Sequence, residues 1–320
     1  MNALNRRLND LHQYLSEPYA PSDLNDYWEN TLEQVRSKPF NEQKTRMDSP
    51  FMPHCEVYKV KYNGFDDTPI HGWYLLPPFR DTKPVPCVVL FHGYHGSKGM
   101  PEEYAIWLMM GLAVFAVDVR GQGGETGNTL PSDTGMTSGW VSQGVADRDR
   151  SYYKAITVDS IRAVDWVAEQ PEIDRSRIAV AGASQGGGLA LITAALSGKA
   201  AVCAASVPNM CHMDYGIMYS TGSLTELAAF ADLFPEKLDS ILATLSYFDI
   251  VHFAERLTMP VFMSVGLKDT ICPPETIFAA YNRIASTDKE IGVYPFGGHN
   301  VNRHNSQRVR SFIHRHLLER

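Results

Sequence analysis

Arg177-Ile178-Ala179-Val180-Ala181-Gly182-Ala183-Ser184-Gln185-Gly186-Gly187 is the stretch on which the fold turns. An unbroken apolar run leads into a G-x-S-x-G turn, and the turn opens onto small and apolar residues from Gly187 to Ala195. That setting predicts a strand, a sharp turn and a helix. Small residues must flank the serine because strand and helix nearly touch at such an elbow, which lifts the serine hydroxyl above the edge of a sheet. Ser184 is therefore the candidate nucleophile.

Outward from the elbow, further short apolar runs occur at Cys87–Phe91, Ala113–Val117, Ala201–Val207 and Val261–Val265. Unbroken runs of this length read as strands buried on both faces. Helical patterns separate them at Ile156–Ala168, Gln185–Leu196 and Glu275–Ile284, so the expectation is an α/β fold with a mostly parallel central sheet and helices on both faces. Ahead of them, Leu24, Tyr27, Trp28, Leu32 and Val35 have helical spacing, and Glu56–Tyr62 and Ile70–Leu76 alternate like a hairpin. No linker, repeat or low-complexity tract divides the chain. The reading is one domain over 1–320, with a helical extension at 1–50 and a helical insertion at 209–258. Within the insertion Ser223-Leu224-Thr225-Glu226 has capping-box spacing, and Leu238, Ile241, Leu242 and Leu245 share a helix face. An insertion there is expected to overlie the carboxyl ends of the strands as a lid or pocket wall.

A serine hydroxyl needs a base and an orienting acid, in the chain order serine, acid, histidine. Asp269 follows the strand Val261–Val265, and His299 follows the strand Glu290–Tyr294 in Phe296-Gly297-Gly298-His299. Asp249 and Asp288 are rival acids by order, but the first falls in the insertion and the second in a polar turn. An oxyanion needs two backbone N–H donors; Gln185, next after the serine, is one, and Tyr94 in His92-Gly93-Tyr94 after the strand Cys87–Phe91 is the other. Arg120, Gly121 and Gln122 are read as structural support, with the guanidinium and amide tying their loop to backbone carbonyls.

The formal net charge of -7 over 320 residues, with scattered lysines and arginines, argues against a nucleic-acid partner. No run approaches a membrane span and no secretion signal is seen, so a cytoplasmic protein without membrane association is expected. Five cysteines, an odd number without C-x-x-C spacing, read as reduced thiols; no metal site is expected, and His304, His314 and His316 have no ligand spacing.

His92-Gly93-Tyr94, Arg120-Gly121-Gln122-Gly123, Gly182–Gly186 and Gly266-Leu267-Lys268-Asp269, with Ser246-Tyr247-Phe248-Asp249, Pro273-Pro274 and Phe278-Ala279-Ala280-Tyr281-Asn282, occur in an order that resembles the acetyl xylan esterase and cephalosporin C deacetylase group, carbohydrate esterase family seven. The resemblance implies an α/β-hydrolase fold and cofactor-free removal of acetyl groups from small substrates, acetylated xylooligosaccharides and 3'-acetylated cephalosporins among them. It also implies a hexameric ring with active sites facing an inner cavity. Two departures stand out: Asn300 follows His299 where the family usually has Glu, and Pro208-Asn209-Met210-Cys211 replaces a Pro-aromatic-Leu-Ser run, which puts the shape of the acyl or alcohol pocket in doubt. The competing functions are a serine peptidase of the prolyl-oligopeptidase kind, for whose propeller the chain has no room, and a catalytically silent fold used for binding.

Overall fold

The computed structural model describes residues 2–17, 19–78, 80, 83–133 and 139–319. Two helices, α1 (Ala3–Gln13) and α2 (Leu24–Arg36), precede the strands β1 (Gln43–Met47), β2 (Glu56–Asn63), β3 (Pro69–Leu76) and β4 (Val85–Phe91). Then follow α3 (Ala105–Met109), β5 (Ala113–Val117), α4 (Tyr152–Glu169), β6 (Ile173–Ala183), α5 (Gln185–Ser197) and β7 (Val202–Ser206). After them come α6 (Met213–Tyr219), α7 (Leu224–Leu233), α8 (Leu238–Ser246), β8 (Val261–Gly266), α9 (Pro274–Arg283), β9 (Lys289–Tyr294) and α10 (Arg303–Leu317).

The strands form one sheet in the order β1-β2-β3-β5-β4-β6-β7-β8-β9. The first three and the β3–β5 pair are antiparallel, and every later pair is parallel. This is the α/β-hydrolase arrangement. Alternation along the strands explains the unbroken apolar runs: Cys87, Val89 and Phe91 of β4 join one core with α2, α4, α5 and α9, while Val88 joins a second core with Trp107 and Leu108 of α3 and Val309, Phe312 and Ile313 of α10. In β7, Cys203 and Ala205 face the first core and Val202 and Ala204 the second. The inner strands β4, β5 and β7 are covered by both layers, and their residues are apolar on both faces apart from Ser206 at the end of β7.

The parallel strands all end on one edge. The loops after β4, β5, β6, β8 and β9 therefore converge, and these carry Tyr94, Arg120, Ser184, Asp269 and His299. The segment before residue 50 holds the edge strand β1 as well as its two helices; four of the five β1 residues are exposed, which hides it from an apolar-run reading. No sequence expectation named α1, whose Leu4, Leu8 and Leu11 lie at helical spacing, or the five-residue α3. The capping box at Ser223 does not form. Ser223 has helical dihedrals and caps nothing with its side chain. Its hydroxyl instead accepts from Asn209 Nδ2 at 3.3 Å, and the Glu226 carboxylate accepts from the Tyr94 hydroxyl at 2.6 Å. Tertiary partners outbid the local motif.

Four of the five cysteines are buried and Cys55 is half-buried; all five are unpaired thiols. Among the described residues, no helix is long and apolar enough to cross a membrane.

The amino-terminal segment is fastened to the sheet layer by a buried cation. Arg162 of α4 is 2% exposed and donates to the carbonyls of Asn63 at 2.6 Å, Val35 at 2.8 Å and Pro39 at 3.0 Å, with the ring of Phe40 at 4.6 Å from its guanidinium carbon. Removing a donor that serves several buried acceptors costs their full desolvation. Arg162→Met is expected to lower the unfolding free energy by about 2–4 kcal/mol, read from urea denaturation.

Candidate active site

Ser184 is the first residue after β6 and precedes α5, with φ 57° and ψ -122°. A non-glycine residue in that region is strained, and something must hold it. Its N–H donates to the Ser206 carbonyl at 2.9 Å, and its own carbonyl accepts from Asn209 N at 2.9 Å and Gly188 N at 3.0 Å, so the elbow is pinned to the end of β7. The flanking glycines are required by contact. A Cβ on Gly186 would stand 2.0 Å from the Phe91 carbonyl oxygen, and one on Gly182 would stand 2.3 Å from that of Gly186.

The three residues that sequence order nominated are brought together. His299 Nε2 lies 2.8 Å from Ser184 Oγ, and His299 Nδ1 lies 2.8 Å from Asp269 Oδ2. Asp269 is buried, and its Oδ1 accepts the N–H groups of Ile271 and Cys272, each at 2.9 Å. With the carboxylate accepting at Nδ1, the proton sits there and Nε2 is free to accept from the serine hydroxyl. Gly266 lets the two loops meet: a Cβ there would stand 2.5 Å from the carbonyl oxygens of Gly297 and Gly298. The rival Asp249 has another task, its carboxylate accepting from His212 N, Met213 N, Val251 N and the Tyr19 hydroxyl. Asp288 is 3.6 Å from His316, away from the serine.

Tyr94 lines the same cavity as Ser184, and Gln185 follows the serine directly. Gln185 opens α5, so its N–H has no partner within the helix. Gly93 lies against the elbow, a Cβ there being 3.8 Å from Ser184 Cβ. The loop is set by His92, whose Nδ1 donates to the Gly93 carbonyl at 2.8 Å while Nε2 accepts Val119 N–H at 2.8 Å. Burial lowers the pKa of that imidazole, in keeping with a neutral ring that donates and accepts at once.

The guanidinium of Arg120 and the amide of Gln122 bind other side chains rather than backbone carbonyls, which corrects the expectation for them; the backbone N–H of Gly121 is what donates to carbonyls, those of Thr126 and Gly127. Arg120, fully buried, makes a bidentate pair with Asp159 at 2.6 and 2.9 Å and reaches Asp66 at 2.9 Å. Burial pushes the Asp66 carboxyl up, but Arg120 and the hydroxyls of Thr68 and Thr129 outweigh it and hold it below the ordinary range. Gly121 has φ 74°, the left-handed turn that aims its neighbours inward. Gln122 Nε2 donates to the Tyr152 hydroxyl and to Gln185 Oε1, both at 2.9 Å, and Gln185 Nε2 returns a bond to Gln122 Oε1 at 3.3 Å. The side chain after the nucleophile, to which sequence reasoning gave no role, thus ties the elbow to the Arg120 loop.

A cavity of about 530 Å³ opens over Ser184 and His299. The insertion supplies part of its wall through Gly222, Ser223 and Glu226; Glu226 was legible only as a capping residue. Asn300 lines the cavity beside His299. Of the stretch that departs from the family run, Asn209, Met210 and Cys211 are buried, and Gly187 and Gly188 of α5 pack against Pro208, Asn209 and Met210; it is Val207, just before it, that faces the cavity.

Breaking one partner of a buried ion pair costs about 3–5 kcal/mol because the other charge is stranded. Arg120→Ala is expected to lose stability of that order by chemical denaturation, with Arg120→Lys recovering only part, since one ammonium cannot serve both carboxylates in the same fork.

Against known proteins, the family model for acetyl xylan esterase (AXE1) matches residues 1–316. Acetyl esterase Axe7A of Xylanibacter ruminicola is 27% identical over 294 residues, 89% of this chain, and the chain spans 65% of that relative's length. Among solved structures, an acetyl xylan esterase from Paenibacillus sp. R4 is 36% identical with a TM-score of 0.93, covering 97% of this chain and 99% of that one. Acetyl xylan esterase 1 from Thermoanaerobacterium sp. JW/SL YS485 is 30% identical with a TM-score of 0.89, covering 96% and 97%. The Pyrococcus furiosus esterase Pf2001, 21% identical with a TM-score of 0.58 over 85% of this chain and 98% of that one, shares the fold. Matched over nearly its whole length by the family model and by these structures, the chain belongs to the acetyl xylan esterase family.

Proposed function

We propose that this protein is a serine esterase that removes acetyl groups from small acetylated substrates through a covalent acyl-enzyme. The observation that carries the reading is the hydrogen-bonded line from Ser184 Oγ through His299 to the buried Asp269, two contacts of 2.8 Å at the floor of a cavity. Family membership supports the acetyl part.

In this mechanism Ser184 Oγ attacks the acetyl carbonyl carbon and its proton passes to His299 Nε2. Asp269 stabilises the imidazolium without taking the proton. The oxyanion is received by the N–H groups of Tyr94 and Gln185, donors fixed before the substrate arrives. Collapse of the tetrahedral intermediate expels the alcohol, which takes the proton from His299, and a water repeats the sequence to release acetate. Acetylated xylooligosaccharides and 3'-acetylated cephalosporins are the substrate classes in the proposal. A cytoplasmic location, which the unpaired cysteines suit, and assembly into a hexameric ring belong to it as well. Sedimentation velocity checks the ring.

Ser184→Ala is expected to reduce kcat/KM on 4-nitrophenyl acetate by about 10³-fold or more, with the thermal transition raised or unchanged because the strained residue is kept small. Retained turnover would move the nucleophile elsewhere. In the wild type, kcat/KM should fall steeply from 4-nitrophenyl acetate through butyrate to octanoate; equal rates would keep the serine chemistry and remove the acetyl assignment. Since His299 Nε2 is the group that accepts the serine proton, His299→Ala is expected to lower kcat/KM on 4-nitrophenyl acetate by about 10³-fold or more, and retained turnover would count against His299 as base.

A further inference from the structure

Glu226 carries a carboxylate into the cavity that the proposed chemistry does not use. It comes from α7, in the insertion, and meets the oxyanion loop from the opposite side. Its Oε2 accepts the Tyr94 hydroxyl at 2.6 Å, and that hydroxyl accepts the N–H of Trp140 at 3.0 Å. Burial raises the Glu226 carboxyl above its ordinary range, and the Tyr94 hydroxyl draws it back. The Tyr94 ring is in turn fixed between His95 and Trp140, with centroids 4.5 and 5.2 Å away.

The charge balance of the wall is one-sided. Among the described residues that line the cavity Glu226 is the only carboxylate and there is no lysine or arginine; of the two histidines there, His95 packs edge-on against Tyr94 and Trp140, and His299 is committed to Ser184 and Asp269. A carboxylate on a bound ester would meet a like charge in a partly desolvated cleft with no fixed cation to pair with it. A hydroxyl would meet an acceptor, because the two oxygens of an ionised carboxylate offer about four lone-pair sites, and the Tyr94 hydroxyl and the backbone N–H of Val141 take only two of them.

We propose that Glu226 is a specificity-determining residue, which makes the site prefer uncharged, hydroxyl-bearing acetyl esters over acetyl esters whose alcohol portion carries a carboxylate. The proposal rests on the acetyl-esterase reading above and divides its two substrate classes: acetylated sugars fit the wall, and carboxylate-bearing cephalosporin acetates are opposed by it.

The test uses two esters of equal size, 4-acetoxybenzamide and 4-acetoxybenzoate, at a pH of about 8, above the ordinary imidazole range. The ratio of kcat/KM, amide over carboxylate, is measured for wild type and Glu226→Gln. Differences in leaving-group chemistry cancel when the two ratios are compared. The expected result is a ratio that favours the amide in the wild type and drops threefold or more in the variant; a smaller drop overturns the proposal. Should Glu226→Gln not fold, the same ratio in wild type is followed from about 20 mM to about 500 mM NaCl, where screening is expected to lower it twofold or more, and a smaller change overturns the proposal. A wild-type protein that hydrolyses neither ester, nor 4-nitrophenyl acetate, fails the acetyl-esterase reading itself. Turnover of both with the ratio unmoved by the variant fails only the role of Glu226.

Discussion

The close approach of the elbow to β4 is the constraint on which the rest depends. Phe91 is the last residue of β4, and its carbonyl oxygen comes so near Gly186 that a single methyl group there would lie 2.0 Å away. Only with that approach can α5 begin immediately after β6, leaving Ser184 at φ 57° with its hydroxyl at the carboxyl edge of the sheet. Such backbone strain persists because the bonds of Ser184 to Ser206 and Asn209 over-determine the turn. The parallel sheet then does the remaining placement, since the loops after β4, β8 and β9 end at the same edge and deliver Tyr94, Asp269 and His299 within reach.

A second layer of buried polar groups fixes what the sheet leaves free. Arg120 with Asp159 and Asp66, and Gln122 with Gln185 and Tyr152, form a connected set behind the elbow. Charges taken out of water are costly, and their mutual attraction offsets the cost only when geometry and extra hydrogen bonds are good. Here the guanidinium forks onto one carboxylate and reaches a second, and the two amides bond reciprocally. The contribution of such a set is positional: it holds the donor loops at fixed distances from the nucleophile, and electrostatic stabilisation of a developing charge requires that positioning.

The insertion adds chemistry of another kind. It brings Gly222, Ser223 and Glu226 to the cavity, so a carboxylate of the wall comes from a segment separate from the strand-end loops that hold the catalytic candidates. In the proposed mechanism reaction and selection are carried by different parts of the chain, and Tyr94 links them, its backbone N–H assigned to the oxyanion and its side-chain hydroxyl bound to Glu226.

What the sequence alone determined is what local physics repeats. Runs such as Cys87–Phe91 announce strands covered on both faces because each side chain must be apolar; Gly182 and Gly186 announce a tight elbow; and the order of Ser184, Asp269 and His299 at strand ends nominated the residues that the structure joins through His299 by two contacts of 2.8 Å. Tertiary structure alone decided the rest. The exposed edge strand β1 has no apolar run, because one sheet neighbour supplies all its pairing. Arg120 found carboxylates rather than carbonyls, since Asp159 lies 39 residues away on α4. Ser223 and Glu226 were drawn from a local cap to Asn209 and Tyr94, and the Gln185 side chain acquired a partner 63 residues distant. Periodicity and spacing encode only the backbone and its immediate neighbours, whereas the partner of a polar side chain is chosen by whichever group the completed fold places at hydrogen-bond distance and out of water.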